Sequence, residues 1–115
     1  PLKSTPFNFE NANLEGVDFR GSDLTGANLN KAYLKDIKID ENTKIDSKWK
    51  LVSALLSGIP RSHLYREIDL EALKDLSYAN LNGSDLSCLD LSKSDMSWSI
   101  LQKTNLRDSN LESAN

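Results

Sequence analysis

The sequence predicts an all-β solenoid, in which the chain winds as a coil around its own apolar axis. Two observations support this prediction: an apolar residue returns at every fifth position in two long blocks, and a segment with helical spacing separates the blocks. The repeat outranks local helix and strand propensities, because an internal repeat of fixed period determines the fold by itself.

The repeat is a quintet with a large apolar residue at its centre. The residue before the centre is mostly Asn or Asp, and the residue two positions before it is mostly small. Residues five apart drift around a helix and lie on opposite sides of a strand. The apolar residue can therefore return to the interior only if the chain turns a corner once in every quintet. The predicted core consists of these central residues: Leu14, Phe19, Leu24, Leu29, Leu34, Leu81, Leu86, Leu91, Met96, Leu101, Leu106 and Leu111.

The first repeat block spans residues 7–41. Gly16, Gly21 and Gly26 close three consecutive quintets, where a tight corner tolerates the positive φ that glycine adopts easily. Phe7 is too large for the small position of its quintet. We expect it to plug the N-terminal end of the column, since terminal repeats need a cap.

The register fails after Ile39. The next central position falls on Lys44, which cannot sit unpaired in an apolar column. A helix follows instead, with Asp46 as a favourable N-cap and with Gly58 and Pro60 as its end signals. Its apolar face consists of Trp49, Val52, Leu55 and Leu56.

Residues 59–75 allow two interpretations. We favour a second short helix up to about Arg66, followed by a return to the coil. Alternatively, Ile68-Asp69-Leu70 is a quintet that is displaced by one residue from the register resuming at Leu76.

The chain is predicted to be a single domain over 1–115, with the helical insert at 42–75 and the second repeat block at 76–115. We expect the two blocks to stack into one continuous rod, with the helix lying outside it. The chain starts without Met and stops inside a quintet, so we expect it to be a fragment of a longer protein. A homodimer through the C-terminal coil would cover apolar residues and strand edges at that end.

The repeats resemble those of a known family. ANLEG (12–16), ANLNK (27–31) and ANLNG (79–83) match the motif A(D/N)LXX of the pentapeptide-repeat family, and quintets of this kind recur fifteen times. The resemblance implies a right-handed quadrilateral β-helix with four quintets per coil. The run IDENTKIDSKWKLV (39–52) is similar, more weakly, to cyanobacterial members in which a helical insert interrupts the coil.

Composition excludes several classes of protein. The net charge of −3 is not the basic footprint of a nucleic-acid-binding domain, so we expect no direct nucleic-acid binding. No apolar run reaches membrane-spanning length, and no signal peptide is visible. The single cysteine, Cys88, rules out an internal disulfide. These features favour a cytoplasmic location without membrane insertion.

No chemical site stands out in the sequence. His63 has no partner at metal-ligand spacing, and Cys88 is expected to face outward without a basic neighbourhood. Nucleophile, zinc and phosphate-loop motifs are lacking, so we predict no catalytic residue, cofactor or metal. The repeated Asp and Asn residues suggest calcium at first sight, but side chains of this kind also cap the backbone of turns.

Departures from the repeat are more informative about function than the residues that conform to it. Tyr33, Lys38 and Ile100 replace Asn or Asp before the central residue. Tyr78 and Trp98 lie twenty residues apart, which places them on one face if four quintets make a coil. Tyr78, Trp98 and Ile100 are therefore a candidate protein-contact patch, since aromatic residues often anchor interfaces. In the alternative, the apolar face of the insert folds onto Tyr78 and Trp98 and buries them.

The predicted function is a non-catalytic protein-interaction scaffold of the pentapeptide-repeat type, appended to a regulatory protein and binding an unidentified partner. The alternative is a DNA mimic that binds DNA gyrase, as in the members that protect against quinolones. A continuous acidic stripe along one face would favour the mimic, and scattered acidic residues would oppose it. An enzyme is the least favoured class.

Overall fold

The structure, a computed structural model, describes residues 7–67 and 70–115. Its helices are α1 (Ser47–Leu56), α2 (Arg61–Glu67) and a 3-10 helix (Leu70–Lys74). Isolated parallel β-bridges pair the remaining segments, and no longer strand forms within the described ranges.

The β-bridges define a coil of four quintets. Bridged residues lie twenty positions apart, with one exception of twenty-one, so the chain passes the same face once in every four quintets. In the first block, coil 1 spans residues 8–27 and coil 2 spans residues 28–45. In the second block, coil 3 spans residues 75–94 and coil 4 spans residues 95–115. We name the faces by their bridges: face A carries Asn8–Asn28 and Asp75–Asp95, face B carries Asn13–Tyr33 and Asn80–Ile100, face C carries Asp18–Lys38 and Asp85–Asn105, and face D carries Asp23–Lys44 and Asp90–Asn110.

The two blocks meet at the corner between faces A and B through a backbone hydrogen bond. Lys31 lies three residues after the face A bridge of coil 2, and Tyr78 lies three residues after that of coil 3. The backbone N–H of Lys31 donates a hydrogen bond to the backbone oxygen of Tyr78 at 2.6 Å. Face B therefore continues from coil 1 to coil 4.

The corner residue of most quintets has a positive φ. The predicted corner glycines Gly16, Gly21 and Gly26 have φ values of 74°, 76° and 73°, which confirms that prediction. Ten non-glycine residues of the described chain share the conformation, with φ between 56° and 62°. The coil thus imposes the left-handed region on its corners whatever residue stands there.

The Asn or Asp before each central residue caps the turn that follows. Its Oδ1 accepts the backbone N–H two residues on, as in the bond from Ser92 to Asp90 at 3.0 Å. The same bond, 2.9 to 3.1 Å long, occurs in twelve quintets. The turn-capping interpretation of these side chains is therefore confirmed.

The apolar column follows the predicted register over most of its length. Eight of the predicted core residues are buried: Leu14, Phe19, Leu24, Leu29, Leu34, Leu81, Leu86 and Leu91. Met96, Leu101 and Leu106 in coil 4 are half-buried. Leu111 was wrongly predicted as core, because its side chain is 42% exposed. Its face of coil 4 has another coil on one side only.

Aromatic rings cover the other end of the column. The ring of Phe7 stacks on that of Phe9 with their centroids 5.4 Å apart. Phe9 in turn packs edge-on against Phe19 at 5.9 Å. Phe7 is 56% exposed, so it shields the column while remaining in contact with solvent itself.

Pairing in the first block continues past the predicted boundary at residue 41. Lys44 is bridged to Asp23, and one extra residue before it shifts the register. Lys44 therefore takes the exposed position before the centre, and half-buried Ile45 follows as the central residue. The hydroxyl of Thr43 supports this turn by donating to the backbone oxygen of Phe19 at 3.1 Å.

Helix α1 begins and ends where the sequence indicates. It starts directly after Asp46 and ends at Leu56, two residues before Gly58, whose φ is 73°. The Asp46 side chain makes no capping hydrogen bond, whereas its backbone oxygen accepts the N–H groups of Trp49 at 3.0 Å and Lys50 at 3.1 Å.

The rest of the insert differs in part from the prediction. Helix α2 ends at Glu67, close to the predicted Arg66. The chain then does not return to the coil at once, since the 3-10 helix from Leu70 comes first. Ile68 and Asp69, which define the displaced-quintet interpretation, lie outside the described residues.

Helix α1 is part of the core, so the expectation that it lies outside the rod was wrong. Leu51 and Val52 are both 0% exposed and belong to the same cluster as the coil residues. The Ser53 hydroxyl donates to the backbone oxygen of Leu34 in coil 2 at 3.1 Å. The Lys48 ammonium donates to the Ser77 hydroxyl in coil 3 at 3.2 Å. The helix is thus held between coils 2 and 3.

Candidate protein-contact surface

Tyr78 and Trp98 form an exposed aromatic pair at the corner between faces A and B, which we call the aromatic corner. Their ring centroids lie 6.5 Å apart with an interplanar angle of 13°. Tyr78 is 39% exposed and Trp98 is 69% exposed. The alternative in which the insert buries this pair was wrong, because the apolar face of α1, with Trp49 at 5% exposure, packs into the core instead.

The backbone of the coil positions both rings. Tyr78 and Trp98 are corner residues, with φ values of 58° and 59°. The N–H of Tyr78 donates to the oxygen of Ser97 at 3.0 Å, which fixes one corner over the other. The left-handed region is unfavourable for a bulky side chain, whereas glycine occupies the corresponding position at Gly83 on the next corner of coil 3. The two aromatic side chains therefore do not stabilise the turns in which they stand.

Face B beside this corner lacks carboxylates at its bridge positions. Those positions hold Asn13, Tyr33, Asn80 and Ile100, whereas each of the other faces has Asp at two of them. Ile100 is half-buried and cannot cap its own turn. The Oδ1 of Asn82 accepts the N–H of Gln102 instead, at 3.0 Å, so the coil keeps its geometry despite the substitution.

A shallow groove runs along face B, and we call it the face B groove. One part has a volume of about 320 Å³ and lies between coils 1, 2 and 3. A second part, of about 290 Å³, continues towards coil 4. Tyr33 and Asn82 line both parts. Their further lining residues are Asn11, Ala12, Asn13, Lys31, Asn80, Gly83, Gln102 and Lys103.

Acidic residues on faces C and D are interrupted by basic ones. Asp18 is bridged to Lys38, and Asp23 is bridged to Lys44. The guanidinium of Arg20 bonds the Asp18 carboxylate at 2.7 Å and holds the pKa of Asp18 well below its usual range. These faces therefore carry mixed charge rather than one continuous acidic stripe.

The remaining sequence candidates stay apart from this surface. His63 is exposed on α2, and Cys88 is exposed at the corner between faces C and D, facing outward as predicted. Within residues 7–67 and 70–115, no group of three or more His, Cys, Asp or Glu side chains is placed to hold a metal ion. None of the described helices has the length and apolar character needed to cross a membrane.

Sequence reasoning did not find Lys31, Asn82 and Lys103, which line the groove. The twenty-residue period can be counted within each block. It cannot be counted across residues 42–75, because the insert has no regular quintets. The contact between Lys31 and Tyr78, together with the shared lining of the groove, shows which face of the second block continues face B.

Comparison with known families agrees with this architecture. The model of the pentapeptide repeats matches eight copies of the motif, over residues 8–38, 75–102 and 90–115. The matched ranges cover more than half of the chain and leave out the insert. Comparisons with curated proteins and with solved structures found no match. The chain belongs to the pentapeptide-repeat family.

Proposed function

We propose that the chain is a non-catalytic protein-interaction scaffold in the form of a right-handed quadrilateral β-helix, and that it contacts its partner through the aromatic corner and face B. The observation that carries the proposal is the exposed stack of Tyr78 and Trp98 at positive φ. Ile100 extends the contact onto face B, where it replaces a turn-capping Asn or Asp.

Energetics support an interaction role for these rings. Each non-glycine residue in the left-handed region destabilises the folded state by roughly 1 to 2 kcal/mol. A stacked aromatic pair stabilises it by about 0.5 to 1.5 kcal/mol. The pair thus adds little net stability to the folded chain. Large exposed aromatic side chains are, in contrast, the typical anchors of protein interfaces, where burial by a partner stabilises the complex.

The family supports the same class of function. Pentapeptide-repeat proteins are generally non-catalytic, and a stack of rigid coils presents side chains at fixed spacing along each face. We propose that the parent protein is regulatory and uses this domain to bind a protein partner. The mixed charge of faces C and D supports this proposal over a DNA mimic, which needs a continuous acidic surface.

Affinity capture from a lysate of the source organism tests the proposal. The baits are the wild type, Trp98→Asn, and Cys88→Asn as a matched control at the diagonally opposite corner, where φ is 60°. We expect captured proteins that Trp98→Asn loses and Cys88→Asn retains. Identical capture by all three baits would contradict the proposed surface. A gyrase subunit among the Trp98-dependent proteins would favour the DNA mimic.

A further inference from the structure

Amide groups on face B present hydrogen-bond donors to solvent. The Oδ1 of Asn80 accepts the backbone N–H of Asn82 at 3.1 Å, and the Oδ1 of Asn82 accepts that of Gln102 at 3.0 Å. These bonds orient both side chains, because only the amide oxygen can accept an N–H. The NH₂ groups of Asn80 and Asn82 therefore remain as hydrogen-bond donors on two side chains that line the groove.

Lysines flank the same groove. Lys31 lies at one corner and Lys103 at the other, and Lys35 lies between them on face B. Among the described residues, none of the three forms an ion pair with a carboxylate. Over coils 1 to 4, face B and its corners carry these three lysines and two carboxylates, Glu15 and Asp36. This surface is therefore locally basic in a chain whose net charge is −3.

The groove has the dimensions of an extended peptide. Coils joined by β-bridges lie about 4.8 Å apart, and this spacing applies within each block. At the corner beside face B, the Lys31–Tyr78 hydrogen bond brings coils 2 and 3 into backbone contact. An extended chain that spans all four coils therefore needs at least about four residues at about 3.3 Å each. The aromatic corner lies at the edge of the groove, next to Lys31 in the stack, where an apolar side chain of the bound segment would contact Trp98.

We infer that face B binds an extended acidic segment of a partner protein, with its carboxylates on Lys31, Lys35 and Lys103 and an apolar side chain against Trp98. This inference rests on the proposed interaction function and names the chemistry of the partner. The donors of face B match carboxylate and carbonyl acceptors, and complementary charge selects such partners over basic ones. A nucleic acid is a poorer fit, since three lysines on an acidic chain give little of the basic surface that phosphate recognition requires.

Selection from a displayed library of random short peptides tests the inference directly. The intact chain is the bait, and enriched peptides are synthesised and measured by fluorescence anisotropy against four proteins. These are the wild type, Trp98→Asn, Lys103→Glu, and Lys93→Glu as a control. Lys93 occupies the diagonally opposite corner with a φ of 60°, close to the 56° of Lys103. Thermal unfolding of each variant confirms that it is folded.

The inference is supported if the enriched peptides contain an excess of Asp and Glu. Their affinity should be at least about tenfold lower for Lys103→Glu than for the wild type, and the same for Lys93→Glu as for the wild type. Peptides that need Trp98 but lack an acidic excess would overturn the inference and leave the interaction function standing. Selection without any Trp98-dependent peptide would count against both. Displacement of the peptides by a single-stranded oligonucleotide at equal concentration would overturn the inference, because the ligand of face B would then be a nucleic acid.

Discussion

The backbone N–H of Lys31 donates a hydrogen bond to the backbone oxygen of Tyr78 at 2.6 Å, although the whole helical insert lies between them in sequence. This bond joins the two repeat blocks at the corner between faces A and B. It also places Lys31 directly next to the aromatic corner. The register of the stack and the composition of the contact surface therefore depend on the same contact.

Replacing Trp98 tests the strain at the aromatic corner. Trp98→Gly is expected to be more stable than Trp98→Ala by about 1 kcal/mol, because glycine adopts a φ of 59° without the penalty that alanine meets there. Both variants lose the same aromatic stack, so their difference isolates the backbone. Urea unfolding followed by circular dichroism measures it. Equal stability of the two variants would contradict the left-handed conformation at this corner.

The five-residue period predicts which side chains point inward, and it does so correctly for residues such as Leu81 and Leu86. It says nothing about whether another coil lies above or below, which is why exposed Leu111 was assigned to the core. The turn at Lys44 was missed because one extra residue places the next central residue, Ile45, six positions after Ile39, where a strict count of five does not find it.

The position of α1 escaped prediction for a different reason. Its bounds follow from Asp46 and Gly58, but an apolar face shows only that a helix packs on something. The sequence does place a further apolar residue, Leu51, outside the predicted face. In the structure Leu51 is 0% exposed, so the helix is in contact on a second side. The aromatic corner was found because Tyr78 and Trp98 share a block and a face, whereas Lys31 belongs to the other block.

Removing either of two buried hydroxyls in the second block should change the free energy of unfolding, but in opposite directions. The Ser84 hydroxyl is buried without a hydrogen-bond partner among the described residues, so Ser84→Ala is expected to raise the free energy of unfolding by about 1 kcal/mol. The Ser94 hydroxyl donates to the backbone oxygen of Leu73 at 2.6 Å, so Ser94→Ala is expected to lower it by about 1 kcal/mol. Chemical denaturation of both variants gives the comparison, and a loss of stability in Ser84→Ala would show that its hydroxyl has a partner.

The insert should contribute to global stability as a core element. Leu51→Ala is expected to lower the free energy of unfolding by about 3 kcal/mol, since it removes a fully buried side chain between two coils. Leu111→Ala serves as the control, and its loss should stay below about 1 kcal/mol because Leu111 is 42% exposed. Urea unfolding monitored by tryptophan fluorescence separates the two. A loss at Leu51 no larger than that at Leu111 would indicate a helix that lies outside the core after all.

Acid should destabilise the coil through its turn-capping carboxylates. The Ser92 and Ser97 hydroxyls, each donating at 2.6 Å, lower the pKa of Asp90 and Asp95 below the usual 3.8, and backbone N–H groups add to the effect. A carboxyl whose pKa is lowered by folding stabilises the folded state at pH values above its unfolded pKa. That contribution is lost as the pH falls through the lowered value.

The double variant Asp90→Asn/Asp95→Asn separates titration from capping, because Asn keeps the Oδ1 acceptor but carries no titrating proton. We expect its melting temperature to fall less steeply than that of the wild type between about pH 5 and about pH 2. At neutral pH both proteins should form the same coil, as judged by circular dichroism. An identical acid dependence in the two proteins would mean that other groups cause the loss of stability, and that capping by Asp90 and Asp95 does not depend on their charge.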